Sequence, residues 1–166
     1  RPTPLHRIHK ATEVLNRFKG YMIPPAFDII LENPVETPED TRATLDLLYK
    51  IPKPFTLNIY ALRIIPNTQL ARDLEARGLD VPSIETSYHS AYAATLGNVL
   101  VFALVVWRMP EKLFRILRAK VYPVQTEQAQ YPILLSFFRT AYLAKRGLDH
   151  LRFMDFSVLP GAWGYC

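Results

Sequence analysis

Two short segments bring polar side chains and prolines together directly after apolar runs. Glu32-Asn33-Pro34 follows Ile29–Leu31, and Arg63-Ile64-Ile65-Pro66-Asn67 closes a second apolar run. The amides of Asn33 and Asn67 each offer donors and an acceptor. The planar fork of Arg63 matches a carboxylate. Ile64 and Ile65 can flank a flat ring, and Glu36 adds an anion three residues beyond Asn33. Prolines hold both loops and so reduce the ordering cost of binding. This is a pattern for gripping a small polar ligand. Each residue also has a plainer use. Glu36 and Asp40 suit a helix N-terminus through the helix dipole. Thr37 and Thr68 are capping residues first. Asn33 before a proline is a common turn residue, and Arg63 can pair with Asp46 or Glu75.

The elements that would carry these groups are legible as a pattern. Residues 5–19 have apolar groups at helical spacing, with Gly20 as the stop. Ala26–Leu31 after Pro24-Pro25 reads as a strand buried on both faces. Thr37-x-x-Asp40 is a capping box with aspartate in the place of glutamate, Pro38 takes the first helical position, and the helix runs to about Lys50. A second strand is expected from Phe55 to about Ile65, with Phe55, Leu57, Ile59 and Ala61 on one face. Asn58 and Tyr60 lie on the other face with Thr56 and Leu62, and are candidates for facing a substrate. Alternation alone does not say which face is which. Asn67-Thr68 then opens a helix ending at Gly78.

The two strand starts, PPAFDIIL and PKPFTLNI, lie about 28 residues apart, the spacing of a βαβ unit in a parallel sheet or barrel. Two parallel strands leave an unpaired edge on each side. More strands are therefore expected from sequence before Arg1 or from another chain, and the chain reads as the later part of something larger. The fold class expected is α/β, the C-terminal portion of a TIM-type (β/α) barrel over 1–78. A polar linker follows over 79–92, then an all-helical extension over 93–160 and a loose tail over 161–166.

In the extension, Thr86–Trp107 carries no formal charge. Its strongly apolar part spans only about ten residues, against the roughly 20 a membrane helix needs, so a buried helix is preferred to an inserted one. Glu111–Lys120 is amphipathic and basic, suited either to a helix packed on a core or to an anionic lipid surface. A last helix over 130–146 is expected to face inward with Leu134, Phe137 or Phe138, Ala141 and Leu148.

The chain has 166 residues, 49% of them apolar and 21% charged, ordinary for a globular protein with a real core. A net charge of +5 is weak evidence for an anionic partner and no evidence for sequence-specific nucleic-acid binding. The one cysteine, Cys166, makes no internal disulfide, which points to a reducing, cytoplasmic setting. His6 and His9 share a helix face without a carboxylate at helical spacing, and read as a surface pair rather than a metal site.

The stretch DIILENPVETPEDTRATLDLLYKIPKPFTLNIYALRIIPNTQLARDLEARG resembles the later half of the radical S-adenosylmethionine barrel. It is most similar to radical SAM proteins with an N-terminal cobalamin-binding domain. The matching features are the strand Ile29–Leu31, the turn Pro34-Val35-Glu36-Thr37 and the helix start Glu39-Asp40. Further along they are Pro66-Asn67-Thr68 and the helix end at Gly78. The likeness is strongest over 21–78, and LGNVLVFALVVWRMPEKLFRIL is similar to the helical extension of the same subfamily. The resemblance implies an intact enzyme that cleaves S-adenosylmethionine reductively and modifies a small-molecule substrate by radical chemistry. The implied cofactors are a four-iron four-sulfur cluster, S-adenosylmethionine and cobalamin. It also implies that strand-end residues, here Asn33, Glu36, Arg63, Ile64 and Asn67, contact S-adenosylmethionine. Its partners would be the N-terminal remainder of the barrel and a cobalamin-binding domain.

This sequence departs from the family twice. The Cys-x-x-x-Cys-x-x-Cys that ligates three irons is absent, so the chain alone has no thiolate set for the cluster. The glycine often found before the Pro-x-Glu-Thr turn is replaced by Glu32 and Asn33. Two other classes stay open: a noncatalytic helical module that binds a membrane surface or a protein partner, and another TIM-type enzyme with a phosphate site at the Thr68 helix.

Overall fold

A computed structural model describes residues 5–33, 35–62, 64–78, 92–122 and 130–155. The order is α1 (Leu5–Arg17), β1 (Ala26–Leu31), α2 (Pro38–Lys50), β2 (Thr56–Ala61), α3 (Gln69–Ala76), α4 (Leu96–Val106), α5 (Glu111–Ala119) and α6 (Pro132–Arg152). The architecture is mixed α/β and mostly helical, around a two-stranded parallel sheet. The linker over 79–91 and the tail lie outside the described residues, as do Pro34 and Arg63.

The first strand–helix unit forms as its residues dictate. Thr37 Oγ1 accepts from the Asp40 amide at 3.2 Å, and the Asp40 carboxylate accepts from the Thr37 amide at 3.0 Å. Those two bonds complete the capping box, with Pro38 at the start of α2. The Thr37 amide, and the Thr37 hydroxyl donating to the same carboxylate at 2.7 Å, hold the Asp40 carboxyl below its ordinary range. β1 and β2 pair with Ala26 opposite Thr56 and Ile30 opposite Tyr60. β2 ends at Ala61 rather than near Ile65. Leu62 still donates to the Leu31 carbonyl, but Ile64 has left the sheet to pack with Ala71 and Leu74 of α3.

α4 is the centre of the molecule. Every residue from Leu96 to Val105 is buried, and they join Leu31, Leu45, Leu48, Phe55 and Leu57 in one core. A helix apolar all round is a buried helix, and no helix among the described residues is long and apolar enough to cross a membrane. The strand-bearing part and the helical part thus share a single core, although a polar stretch separates them in sequence.

α5 follows the plainer of its two readings. Phe114 is buried and stacks on Tyr49 of α2, with ring centroids 4.2 Å apart. Arg118 Nη2 reaches the Asp46 carboxylate at 2.6 Å. Asp46, one of the partners considered for Arg63, is therefore already paired. α6 corrects part of the expected inner face. Phe138 packs against the core as one of the two alternatives allowed, and Leu135 and Tyr142 are buried beside it, whereas Leu134, Phe137 and Leu148 are exposed.

The free edge of β2 is closed by side chains. In this register Thr56 and Leu62 donate to β1, so the odd-numbered carbonyls of β2 point away from it. Tyr142 of α6 donates to the Leu57 carbonyl. Tyr92 donates to that of Ile59 at 2.7 Å, and Lys145 lies 3.5 Å from that of Phe55. The edge expected to be open is sealed by a row of hydroxyl and ammonium groups. The other edge of the sheet, along β1, has no strand beside it among the described residues.

Candidate functional site at the carboxyl ends of the strands

Both strands run the same way, so Glu32 and Leu62 emerge at one end of the sheet. Glu32, the first residue beyond β1, is an anchor. Its Oε1 accepts from the Ala93 amide at 2.6 Å and from Asn98 Nδ2 at 3.0 Å. Asn98 is buried in the first turn of α4 and also donates to the Ala93 carbonyl at 2.9 Å. Glu32 makes these contacts from φ 61, the left-handed region. Glycine adopts this backbone without strain, and for Glu32 the hydrogen bonds offset the strain of a side chain there.

The opposite end of α4 is held from the same unit. Lys53, just before β2, donates to the carbonyls of Leu104 and Trp107. A carboxylate thus sits by the N-terminal turn and an ammonium by the C-terminal turn, each matching the helix dipole. Burial, together with the nearby charges of Arg108 and Lys145, lowers the Lys53 pKa to about 8.

The predicted ligand residues that the structure describes are engaged in local contacts. Asn33 Oδ1 accepts from the Val35 amide at 3.2 Å, a local turn. Asn67 takes φ 66, a conformation asparagine tolerates, and its carbonyl accepts from Arg72 at 3.2 Å. Ile64 is buried against α3, so its side chain is not displayed toward a ligand. Arg63 lies outside the described residues. Glu36 lines a cavity of about 20 Å³ with Glu32, Thr41, Thr95, Asn98 and Tyr122, room for about one water. Burial there, and the neighbouring Asp40, raise its pKa.

The bare face of the sheet is the more open surface. Asp28, Ile30, Asn58 and Tyr60 lie on it, with Asn58 Nδ2 donating to Asp28 Oδ1 at 2.9 Å. Ile30 is 55% exposed and its neighbour Tyr60 53%. The structure therefore brings Asn58 and Tyr60 together, as the strand alternation allowed, and adds Asp28 and Ile30. The strand spacing carries no register, and the structure supplies it: Ala26 pairs with Thr56 and Asp28 with Asn58. The helices pack on the opposite face, so if the sheet curves into an open barrel this face is the concave one.

No family model matches the chain, and neither a curated protein nor a solved structure matches it. The residues present do not fit an iron–sulfur cluster, because the sequence has a single cysteine. Nor do the described residues contain a group of three His, Cys, Asp or Glu side chains placed to hold a metal.

Proposed function

We propose that this chain is the C-terminal segment of an open radical S-adenosylmethionine (β/α) barrel, with its helical extension serving as the cap on the last strand. The observation that carries the reading is the asymmetry of the two-stranded sheet. Its β2 edge is sealed by Tyr92, Tyr142 and Lys145, while its β1 edge is bare among the described residues. A sheet built this way accepts further parallel strands on one side only, ahead of β1 in the winding order. α1 supports the same direction of growth. Leu5, Val14 and Phe18 are exposed, and no other element packs extensively on this helix. In a βαβ arrangement it would cover a strand preceding β1.

On this reading Asp28, Asn58 and Tyr60 face the lumen and meet substrate, while the Glu32–Glu36 and Arg63–Asn67 turns border S-adenosylmethionine. Glu32 and Ile64 have structural duties and contribute backbone only. The cluster would be held by cysteines outside this chain, and the reaction class remains that of S-adenosylmethionine cleavage followed by radical modification of a substrate. Reading the DNA upstream of the Arg1 codon tests the proposal. An in-frame Cys-x-x-x-Cys-x-x-Cys followed by several strand–helix units is the expected result. A start codon directly before Arg1 would overturn it.

A further inference from the structure

The outer face of α6 is apolar along its whole length. Ile133 is 83% exposed, Phe137 63%, Leu148 67% and Leu151 62%. Thr140, Ala144 and Gly147 lie between them, so no charge interrupts an arc of about 100° on a 3.6-residue helix. The core faces the other side, through Leu135 and Tyr142. Such a stripe on a helix already packed by its opposite face is unusual for a solvated surface.

The charges bordering the stripe indicate what covers it. The helix carries Arg139, Lys145, Arg146 and Arg152 against one acid, Asp149. Asp149 is bonded to Lys145 at 2.7 Å and only 19% of its side chain is exposed. Asp155, just beyond the helix, is held by His150 at 3.0 Å. Arg139 and Arg152 are exposed on the two flanks. From outside, the helix offers hydrocarbon bordered by cations, with its acid tied inward. A second copy of α6 is a poor occupant, since it would set cations against cations with no exposed acid to pair. A helix with apolar residues on one face and Arg or Lys at the margins fits the interface of a bilayer containing anionic lipid.

We infer that α6 docks the protein on an anionic membrane surface, lying in the plane of the headgroups with Ile133, Phe137, Leu148 and Leu151 buried among acyl chains. The helix lies on the bilayer and does not cross it, in keeping with the lack of a span among the described residues. This inference is independent of the radical reading and rests on a different face of the molecule.

The test is sedimentation of the full chain with vesicles of phosphatidylcholine, alone or containing one-third phosphatidylglycerol, at low salt. Binding to the mixed vesicles, weaker by about fivefold for each of Arg139→Gln and Arg152→Gln, is expected. The pair Phe137→Glu and Leu148→Glu should reduce it by about tenfold or more. Both positions are exposed, so the fold should persist, which circular dichroism checks. Ile116→Glu on α5 should leave binding unchanged. A dye placed by Phe137→Cys in a Cys166→Ser background should shift to the blue with mixed vesicles. No binding to mixed vesicles, or binding unaffected by the Phe137/Leu148 pair, overturns the inference and leaves an acidic protein as the occupant. Equal binding to pure phosphatidylcholine overturns the role given to charge.

Discussion

Replacing Glu32 by glutamine, glycine and alanine separates two physical effects at one residue. The side chain accepts two hydrogen bonds, at 2.6 Å from the Ala93 amide and 3.0 Å from Asn98 Nδ2. Its backbone sits at φ 61. A charge-assisted bond contributes about 1.5–3 kcal/mol. At this half-buried position the lower value applies, so Glu32→Ala should cost about 3 kcal/mol. A left-handed backbone costs a residue with a Cβ roughly 1–2 kcal/mol, which glycine escapes. Glu32→Gly should therefore cost about 2 kcal/mol, less than alanine although it removes more atoms. Glu32→Gln keeps an acceptor oxygen within reach and should cost about 1 kcal/mol. The predicted order of stability is parent, glutamine, glycine, alanine. Urea denaturation followed by far-UV circular dichroism gives the four free energies on one scale. If alanine were as stable as glycine, the left-handed turn would not be held in solution. An alanine variant within about 0.5 kcal/mol of the parent would remove Glu32 as an anchor of α4.

Other expectations follow from the sealed edge and from α4. Tyr142→Phe leaves the buried Leu57 carbonyl unpaired and should cost about 1–3 kcal/mol by urea denaturation. A loss below about 0.5 kcal/mol would mean the edge is satisfied in another way. Lys53 is lowered from 10.5 to about 8 in the folded chain, so between those values the unfolded chain binds more protons and stability should rise with pH. Comparing the parent with Lys53→Met at pH 7 and pH 9.5 isolates this contribution. Partial exposure reduces it to about 1–2 kcal/mol, and a parallel response of the two proteins would refute it.

Local chemistry in this chain was readable from local sequence. The Thr37–Asp40 box, Pro38 at the start of α2 and Thr68 at the start of α3 depend on residues within one turn of each other. The burial of α4 was also legible, since a helix without a polar face has nowhere else to go. The role of Glu32 was not legible, because its partners lie 61 and 66 positions away. The inner face of α6 is only partly legible, through Phe138, for a related reason. This helix is apolar on two sides, and only the hydroxyl of Tyr142, spent on a strand carbonyl, distinguishes the core side. The apolar run predicts Ile64 at a strand end, yet β2 stops at Ala61 and α3 captures it. At the bare face, the pairing of Asp28 with Asn58 depends on a strand register that the spacing of the strand starts does not specify.

The sealed β2 edge also bears on how copies of this chain can meet. Strand-to-strand association needs a free edge on each participant, and a fibre needs two on every copy. Among the described residues this sheet has only one, along β1. Two copies joined there would have nothing further to offer, so edge pairing ends at a dimer. Removing the hydroxyls of Tyr92 and Tyr142 would supply the second edge and turn a chain terminator into a repeating unit.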